Sequence, residues 1–307
     1  MAKALEGIIL VDKAEGERSF SVVKRLRQIL KVKKLGHAGT LDPFASGLLV
    51  MLLGQGTKLS SYLMAQEKSY RATVRLGIET DTMDPTGRIT RTATVPALDP
   101  DTIREKALGF EGDIEQVPPA FSALKFQGKR AYALAREGIP ITLKKRRVRV
   151  HSLHIVSVDL PELTFLVTCS GGTYIRSLAA DLGKALGTGG HLKALRRLSC
   201  GSFSVKDALR LDRGSLVLSP SALARAIIPL RDALPHMKEA QVDSRTAERI
   251  RNGYQPHWQE LEKESSWPDR YEGNMKLMAG PELVAIMKAH WDCDDSGGLL
   301  KVVRVFH

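Results

Sequence analysis

Gly36-His37-Ala38-Gly39-Thr40-Leu41-Asp42-Pro43-Phe44-Ala45-Ser46-Gly47-Leu48-Leu49 is the stretch on which the reading of this chain turns. Residues 34–47 are rich in glycine and small side chains and show neither helical nor strand periodicity. They read as a loop ahead of the apolar run Leu48 to Leu53. Pro43 biases Asp42 away from helical geometry, and Gly36 and Gly39 let the backbone come close enough to touch a ligand. On spacing alone Asp42-Pro43 is an ordinary turn. A carboxylate held on a thin loop between two apolar elements is also well placed for chemistry.

Upstream, Gly7 to Asp12 is a short apolar run that reads as a buried strand, followed by the turn-like Lys13-Ala14-Glu15-Gly16. Ser19 or Ser21 caps a helix in which Val22, Val23, Leu26, Ile29 and Leu30 recur at helical spacing, with Lys24, Arg25 and Arg27 mostly opposite them. Downstream, residues 69–77 alternate polar and apolar and predict a strand, and the following TDTMDPTG is turn chemistry. Residues 147–158 contain another alternating strand, and 163–169 one that pairs with it. In TYIRSLAADLGKALG, Ile175, Leu178, Ala179, Leu182 and Leu186 mark a helix that Gly187 ends, with Arg176 in its first turn. Strands and helices do not alternate regularly, so the class is α+β with a mixed sheet. The charge and texture change near Pro229 to Pro235 predicts a connector, giving a larger domain over 1–232 and a small one over 233–307. The latter holds a helix in VDSRTAERIRNG and a terminal strand over 299–306.

The 307 residues support a sizeable core, and 43% hydrophobic with 6% aromatic residues is an ordinary globular composition. No run approaches the roughly 20 apolar residues of a membrane span, and the N-terminal apolar run is too short for a secretion signal, so a cytosolic protein without membrane partners is expected. Cys169, Cys200 and Cys293 are odd in number and widely spaced, which fits reduced thiols rather than disulfides or a zinc knuckle. His151 and His154, at an odd separation in a strand, are expected on opposite faces and unable to share a metal. Asp81 and Asp84 lack the remaining ligands of a calcium loop and read as a turn. Net charge is +12, from 46 basic and 34 acidic residues. The excess lies in residues 1–60 (10 basic, 5 acidic) and 121–213 (17 basic, 6 acidic). A field distributed in this way points to a polyanion, most commonly nucleic acid.

Several motifs together resemble the TruB family of tRNA pseudouridine synthases: GHAGTLDPFASGLL with GQGTK (54–58), Lys68-Ser69-Tyr70, TDTMDPTG, QVPPAFSALKFQGKRAYALAREG, CSGGTYIRSLAADLG and LKALRRL. They cover most of residues 7–203 in the family's order. The resemblance implies a pseudouridine synthase fold, with a mixed, mainly antiparallel central sheet flanked by helices, and a small PUA-like RNA-binding C-terminal domain. It also implies isomerisation of a uridine in tRNA, position 55 of the T arm in bacterial members. No cofactor and no metal are expected. Asp42 matches the catalytic aspartate, acting either as nucleophile at C1′ or as base at C2′. Arg176 matches its arginine partner, expected to lower the carboxylate pKa. Tyr70 matches the tyrosine that lies against the uracil, and Tyr174 and Leu195 further base-pocket contacts. His37 matches a histidine that fills the space of the flipped nucleotide, and Lys58 is a candidate phosphate or pocket contact.

Lys125, Lys129, Arg130, Lys144 to Arg147 and Arg149 fall in the segment with which the family grips the T arm. A stand-alone, monomeric enzyme without an obligatory protein partner is implied. Its rivals are a non-catalytic tRNA-binding or tRNA-folding module and an RNA-guided relative. The chain departs from the family at Lys13-Ala14-Glu15-Gly16 and Arg18-Ser19, where Lys-Pro-x-Gly and Thr-Ser are usual, which puts the stiffness of that turn in question. It departs again at Gly56 and Gly171, where Ala and Lys are more common.

Overall fold

A computed structural model describes residues 5–122, 124–211, 219–263, 267, 271–290 and 299–307. Eight strands and three helices frame the larger part: β1 (Gly7–Lys13), α1 (Ser19–Leu30), β2 (Leu35–His37), β3 (Ser46–Leu53), α2 (Ser60–Ala65), β4 (Lys68–Leu76), β5 (Gly112–Gln116), β6 (Arg146–Asp159), β7 (Glu162–Cys169), α3 (Ile175–Ala185) and β8 (Gly190–Cys200). The sheet runs in the order Leu209–Arg210, β1, β3, β8, β4, β7, β6, β5, with β2 paired on β3. Most pairs are antiparallel. The β8–β3 pair, in which Arg196 faces Ser46, and the contact of β1 with Leu209–Arg210 are parallel. The sheet is therefore mixed and mainly antiparallel.

Helix α1 forms because its apolar residues recur every three to four positions. Val22, Val23, Leu26 and Leu30 are buried against Ile9 and Val11 of β1 and Leu49, Met51 and Leu53 of β3. Each such side chain contributes about 1.5–3 kcal/mol of hydrophobic stabilisation. Helix α3 covers the middle of the sheet in the same way, with Leu178, Ala179 and Leu182 packed among Val74, Val167 and Leu192. The segment between α1 and β3 is not wholly irregular: Leu35–His37 pairs antiparallel with Met51–Leu53, drawing the loop onto the sheet.

Three expectations change. Strand β8, the strand between β3 and β4, is invisible to periodicity because Lys193, Arg196 and Arg197 interrupt its apolar pattern and irregularities at Leu192/Ala194 and Arg197/Ser199 break its alternation. His151 and His154 are both exposed, because a bulge between Val150 and Ser152 adds a residue to β6; His151 pairs with Glu67 at 3.1 Å. The stretch expected to be a connector is packed. Leu230–Ala233 forms a turn of 3₁₀ helix, and Ala233 and Leu234 are buried with Ile8, Leu10 and Leu48.

Beyond it, β9 (Lys238–Gln241), α4 (Ser244–Arg251), β10 (Gly273–Ala279), β11 (Glu282–His290) and β12 (Leu299–Val305) form a four-stranded sheet in that strand order with its own core. Asp243 caps α4, accepting from the Thr246 amide at 2.6 Å. Met278, Leu283, Ile286 and Phe306 join the core under β1 and β3, so the two sheets share apolar ground. Cys169 and Cys200 are buried free thiols; Cys293 lies outside the described residues. Among the described residues, no helix is long and apolar enough to cross a membrane.

Candidate active site

The loop that carries Asp42 is pinned on both sides of it. The Ser19 hydroxyl, at the start of α1, accepts from the Leu41 amide at 3.0 Å and donates to the Leu41 carbonyl at 2.8 Å. On the other side the Pro43 carbonyl accepts from the Gly16 amide at 2.8 Å and from the Lys13 ammonium at 3.4 Å. Lys13 also donates to the Glu17 carbonyl at 2.7 Å and the Ala14 carbonyl at 2.9 Å. The turn that lacks the family's proline is thus held by a fully buried lysine and by Gly16, whose φ of 78° suits glycine.

Arg176 reaches Asp42 from the first turn of α3. Its Nε lies 3.1 Å from Asp42 Oδ2, its Nη1 3.0 Å from Asp84 Oδ2 and 3.0 Å from the Thr82 carbonyl, and its Nη2 2.9 Å from the Phe121 carbonyl. All three of its nitrogens are therefore engaged, which holds the guanidinium in place. Gln116 of β5 fixes the helix start: its amide oxygen accepts from the Tyr174 amide at 2.7 Å, and its amide nitrogen donates to the Tyr174 carbonyl at 3.0 Å. Asp84 is in turn bonded by Thr82 Oγ1 at 2.7 Å and by the Thr86 amide and hydroxyl at 2.9 and 2.6 Å. The turn TDTMDPTG does form, and its purpose is to bury a second carboxylate behind the arginine.

Asp42 itself is half-exposed, with 36% of its side chain open. Its pKa is raised from the ordinary aspartate value: burial is the largest cause, Arg176 opposes it, Asp84 adds to it and Lys13 opposes it. The expected lowering by Arg176 is present but outweighed by desolvation. Among the described residues Oδ1 has no protein hydrogen-bond partner, so one oxygen is anchored and the other is unengaged.

Tyr70 of β4 is buried, and its phenol is pushed up to about 12, chiefly by burial. It stays neutral and is hydrogen-bonded to Arg197. Arg197, on β8, is 2% exposed; it donates from Nε to the Leu48 carbonyl at 2.6 Å and from Nη2 to the Gly39 carbonyl at 3.1 Å, and no carboxylate pairs with it among the described residues. One guanidinium so ties the Asp42 loop, the β3 backbone and the Tyr70 hydroxyl together. Leu195, two residues earlier on the same strand, is buried with Tyr70 and Leu41. His37, at the end of β2, is half-buried with Nδ1 lacking a partner; burial and then Arg197 lower its pKa, which favours the neutral ring.

Asp42, Arg176, Tyr70, Leu195, Tyr174 and His37 therefore belong to one region. Lys58 does not join it. Its ammonium donates to the Gln55 side chain at 2.8 Å and to the Val305 carbonyl at 2.6 Å and lies over the Phe306 ring, where it fastens the second sheet to the first. Sequence reading missed Asp84, Lys13 and Arg197. The available signal for Arg197 was strand parity, since it shares a face with Leu195; for Lys13 it was parity with Ile9 and Val11. Gly56 and Gly171 are explained by close backbone approach: a β-carbon would stand 2.2 Å from the Gly7 carbonyl oxygen and 2.4 Å from that of Met64.

A carboxylate anchored by a buried arginine, on a mixed sheet whose strand β6 carries exposed cations, fits an enzyme that acts on a polyanionic substrate. The family model described as "TruB family pseudouridylate synthase (N terminal domain)" matches residues 27–175, and that for the "tRNA pseudouridylate synthase B C-terminal domain" matches 176–234. A tRNA pseudouridine synthase B of Geobacter sulfurreducens is 39% identical over 99% of this chain and 100% of its own length; one of Clostridium kluyveri is 44% identical over 81% of this chain and 84% of its own. Among solved structures, a Cbf5-Nop10-Gar1 complex contains a chain with a TM-score of 0.75 and 26% identity, covering 99% of this chain and 85% of that one. An archaeal box H/ACA sRNP Nop10-Cbf5 complex contains one with a TM-score of 0.72, also at 26% identity, covering 99% and 87%. The chain belongs to the TruB family of pseudouridylate synthases.

Proposed function

We propose that this isomerase converts uridine 55 in the T arm of tRNA to pseudouridine with Asp42 as its catalytic carboxylate. The observation that carries the assignment is the asymmetry of that carboxylate: Oδ2 is held by Arg176 at 3.1 Å, Oδ1 has no hydrogen-bond partner among the described residues, and 36% of the side chain is open to solvent. The reaction breaks the N1–C1′ bond, turns the retained uracil, joins C5 to C1′ and moves the C5 proton away, leaving N1 protonated. Oδ1 serves either by attacking C1′ or by taking a proton from C2′ to leave a glycal. Both routes require the ionised form, and Arg176, whose own charge is balanced from behind by Asp84, supports it.

The target nucleotide must leave its stack to reach Asp42. Tyr70, Tyr174 and Leu195 receive the uracil, Tyr70 as a neutral ring that stacks without carrying charge. Neutral His37 occupies the space the nucleotide leaves. The exposed cations Lys125, Lys129, Lys144, Arg146 and Arg147 grip the phosphates of the T arm. Residues 1–232 act as the catalytic unit and 233–307 as a PUA-like RNA-binding unit, and the chain works as a monomer in the cytoplasm without a partner protein.

The test is to incubate the purified protein with an unmodified tRNA transcript and map pseudouridine, with Asp42→Asn alongside. The expected result is conversion at position 55 by the wild type and retained binding without conversion by the variant. Equal conversion by both removes Asp42 from the chemistry. Binding without conversion by the wild type assigns the protein to the non-catalytic tRNA-folding class.

A further inference from the structure

The outer face of α1 is built for a polyanion that the grip on the T arm does not account for. Residues 18–41 contain seven basic side chains (Arg18, Lys24, Arg25, Arg27, Lys31, Lys33 and Lys34) and no acidic one. Arg25 pairs with Glu17 at 3.0 Å. Among the described residues no carboxylate lies within ion-pair distance of the other six, and all six are exposed. Phe20, Lys24 and Arg27 stand three to four residues apart and so form one stripe opposite the buried Val22, Val23, Leu26 and Leu30, which Lys31 follows as the left-handed C-cap residue. Phe20 is 67% exposed, more than any other large apolar side chain described. From Phe20 to Lys31 the stripe and its cap span about 16 Å. It begins where Ser19 holds Leu41, next to Asp42. A surface helix selected only for solubility would interleave acids with these bases, which would cost nothing in packing.

The position of the stripe separates it from the cations on β6. Helix α1 packs on β1 and β3, whereas Arg146 to Arg149 lie on β6, five strands from β1 in the sheet order. At roughly 4.8 Å per strand that is about 24 Å, so the two sets of cations offer separate surfaces to a bound RNA. Resting on the reading of the active site above, we infer that the α1 stripe binds the phosphate backbone of the tRNA outside the T arm, with Phe20 offering a stacking surface to a base near the site mouth. The enzyme then holds its substrate from two sides of Asp42.

The experiment compares wild type with the triple variant Lys24→Gln/Lys31→Gln/Lys33→Gln, using a full-length unmodified tRNA transcript and an isolated T-arm hairpin. The expected result is a Kd for tRNA about tenfold higher, a slope of log K against log[salt] shallower by about 2, and a hairpin Kd within twofold of wild type. The rate at saturating protein in a single turnover is unchanged, which certifies the fold. Phe20→Ala alone raises the tRNA Kd about threefold without altering the salt slope. Unchanged tRNA affinity and slope in the triple variant overturn the inference, as does an equal loss on both RNAs, which would place the stripe on the T arm. A wild-type protein that binds tRNA without converting it would overturn the reading of the active site, while the binding comparison still decides this one.

Discussion

The floor of the active site and its basic rim use the same residue types in opposite ways. At the floor, Arg176 and Asp84 are almost wholly buried and Arg176 makes four polar contacts, while Arg197 is fixed by two backbone carbonyls and the Tyr70 hydroxyl. At the rim, Lys145 pairs with Glu115 at 3.3 Å and Arg149 with Asp113 at 3.5 Å, all four side chains more than half exposed. Exposed pairs of that kind contribute about 0–1 kcal/mol and are screened by salt. The difference teaches a division of labour. Buried charges held by several fixed partners are suited to fixing the geometry of chemistry, and loose exposed ones to setting affinity, so substitutions in the two regions should move different kinetic constants.

The sharpest way to break that division is Arg176→Lys. One ammonium cannot span Asp42, Asp84 and two carbonyls, so kcat should fall about 10²–10³-fold with tRNA affinity nearly intact, as measured in single-turnover assays. Because Arg176 opposes the burial that raises the Asp42 pKa, the acid limb of the pH profile should also move to higher pH. An unchanged limb would mean the guanidinium does not govern the carboxylate. Next in size is Arg197→Met, which strands the Gly39 and Leu48 carbonyls and frees the Tyr70 hydroxyl. At about 1–3 kcal/mol for each unsatisfied buried group, a lower Tm and a kcat reduced by about tenfold or more are expected, with Arg197→Lys recovering part of both. If the methionine variant lost affinity and kept kcat, Arg197 would belong with the rim.

Rim substitutions sharpen the contrast from the other side. Lys144→Gln/Arg146→Gln should raise KM about three- to tenfold, leave kcat unchanged and flatten the salt dependence by about 2 in slope. The smallest expected effect concerns Lys13, whose pKa burial lowers from 10.5 to about 8. Between those values the unfolded chain keeps the proton that the folded one has released, so stability gains a rising component with pH through that window. Urea titrations from pH 8 to 10 should show that component in the wild type and its absence in Lys13→Met.

Much of the frame was legible because periodicity is a local property. Alternation over 69–77 and 163–169 and the three-to-four spacing of 22–30 and 175–186 correspond to β4, β7, α1 and α3 to within three residues. The mixed sheet was legible in class and not in order. Strand β8 carries too many cations to read as a strand, and it became one because β3 and β4 flank it and give its backbone partners. Lys58 shows the opposite failure: its motif pointed to the substrate, and the fold gave it to Val305.

By itself the sequence determined where a carboxylate would stand on a thin loop, which helices would be amphipathic and how many cations the surface would carry, since each depends only on neighbours along the chain. The tertiary structure alone decided that Asp84 would back Arg176 from 92 residues away and that Arg197 would cross 158 residues to hold Gly39. It alone decided that burial would raise the Asp42 pKa against its arginine. Desolvation and ion pairing depend on what the fold brings within a few ångströms, and no spacing along the chain encodes that distance.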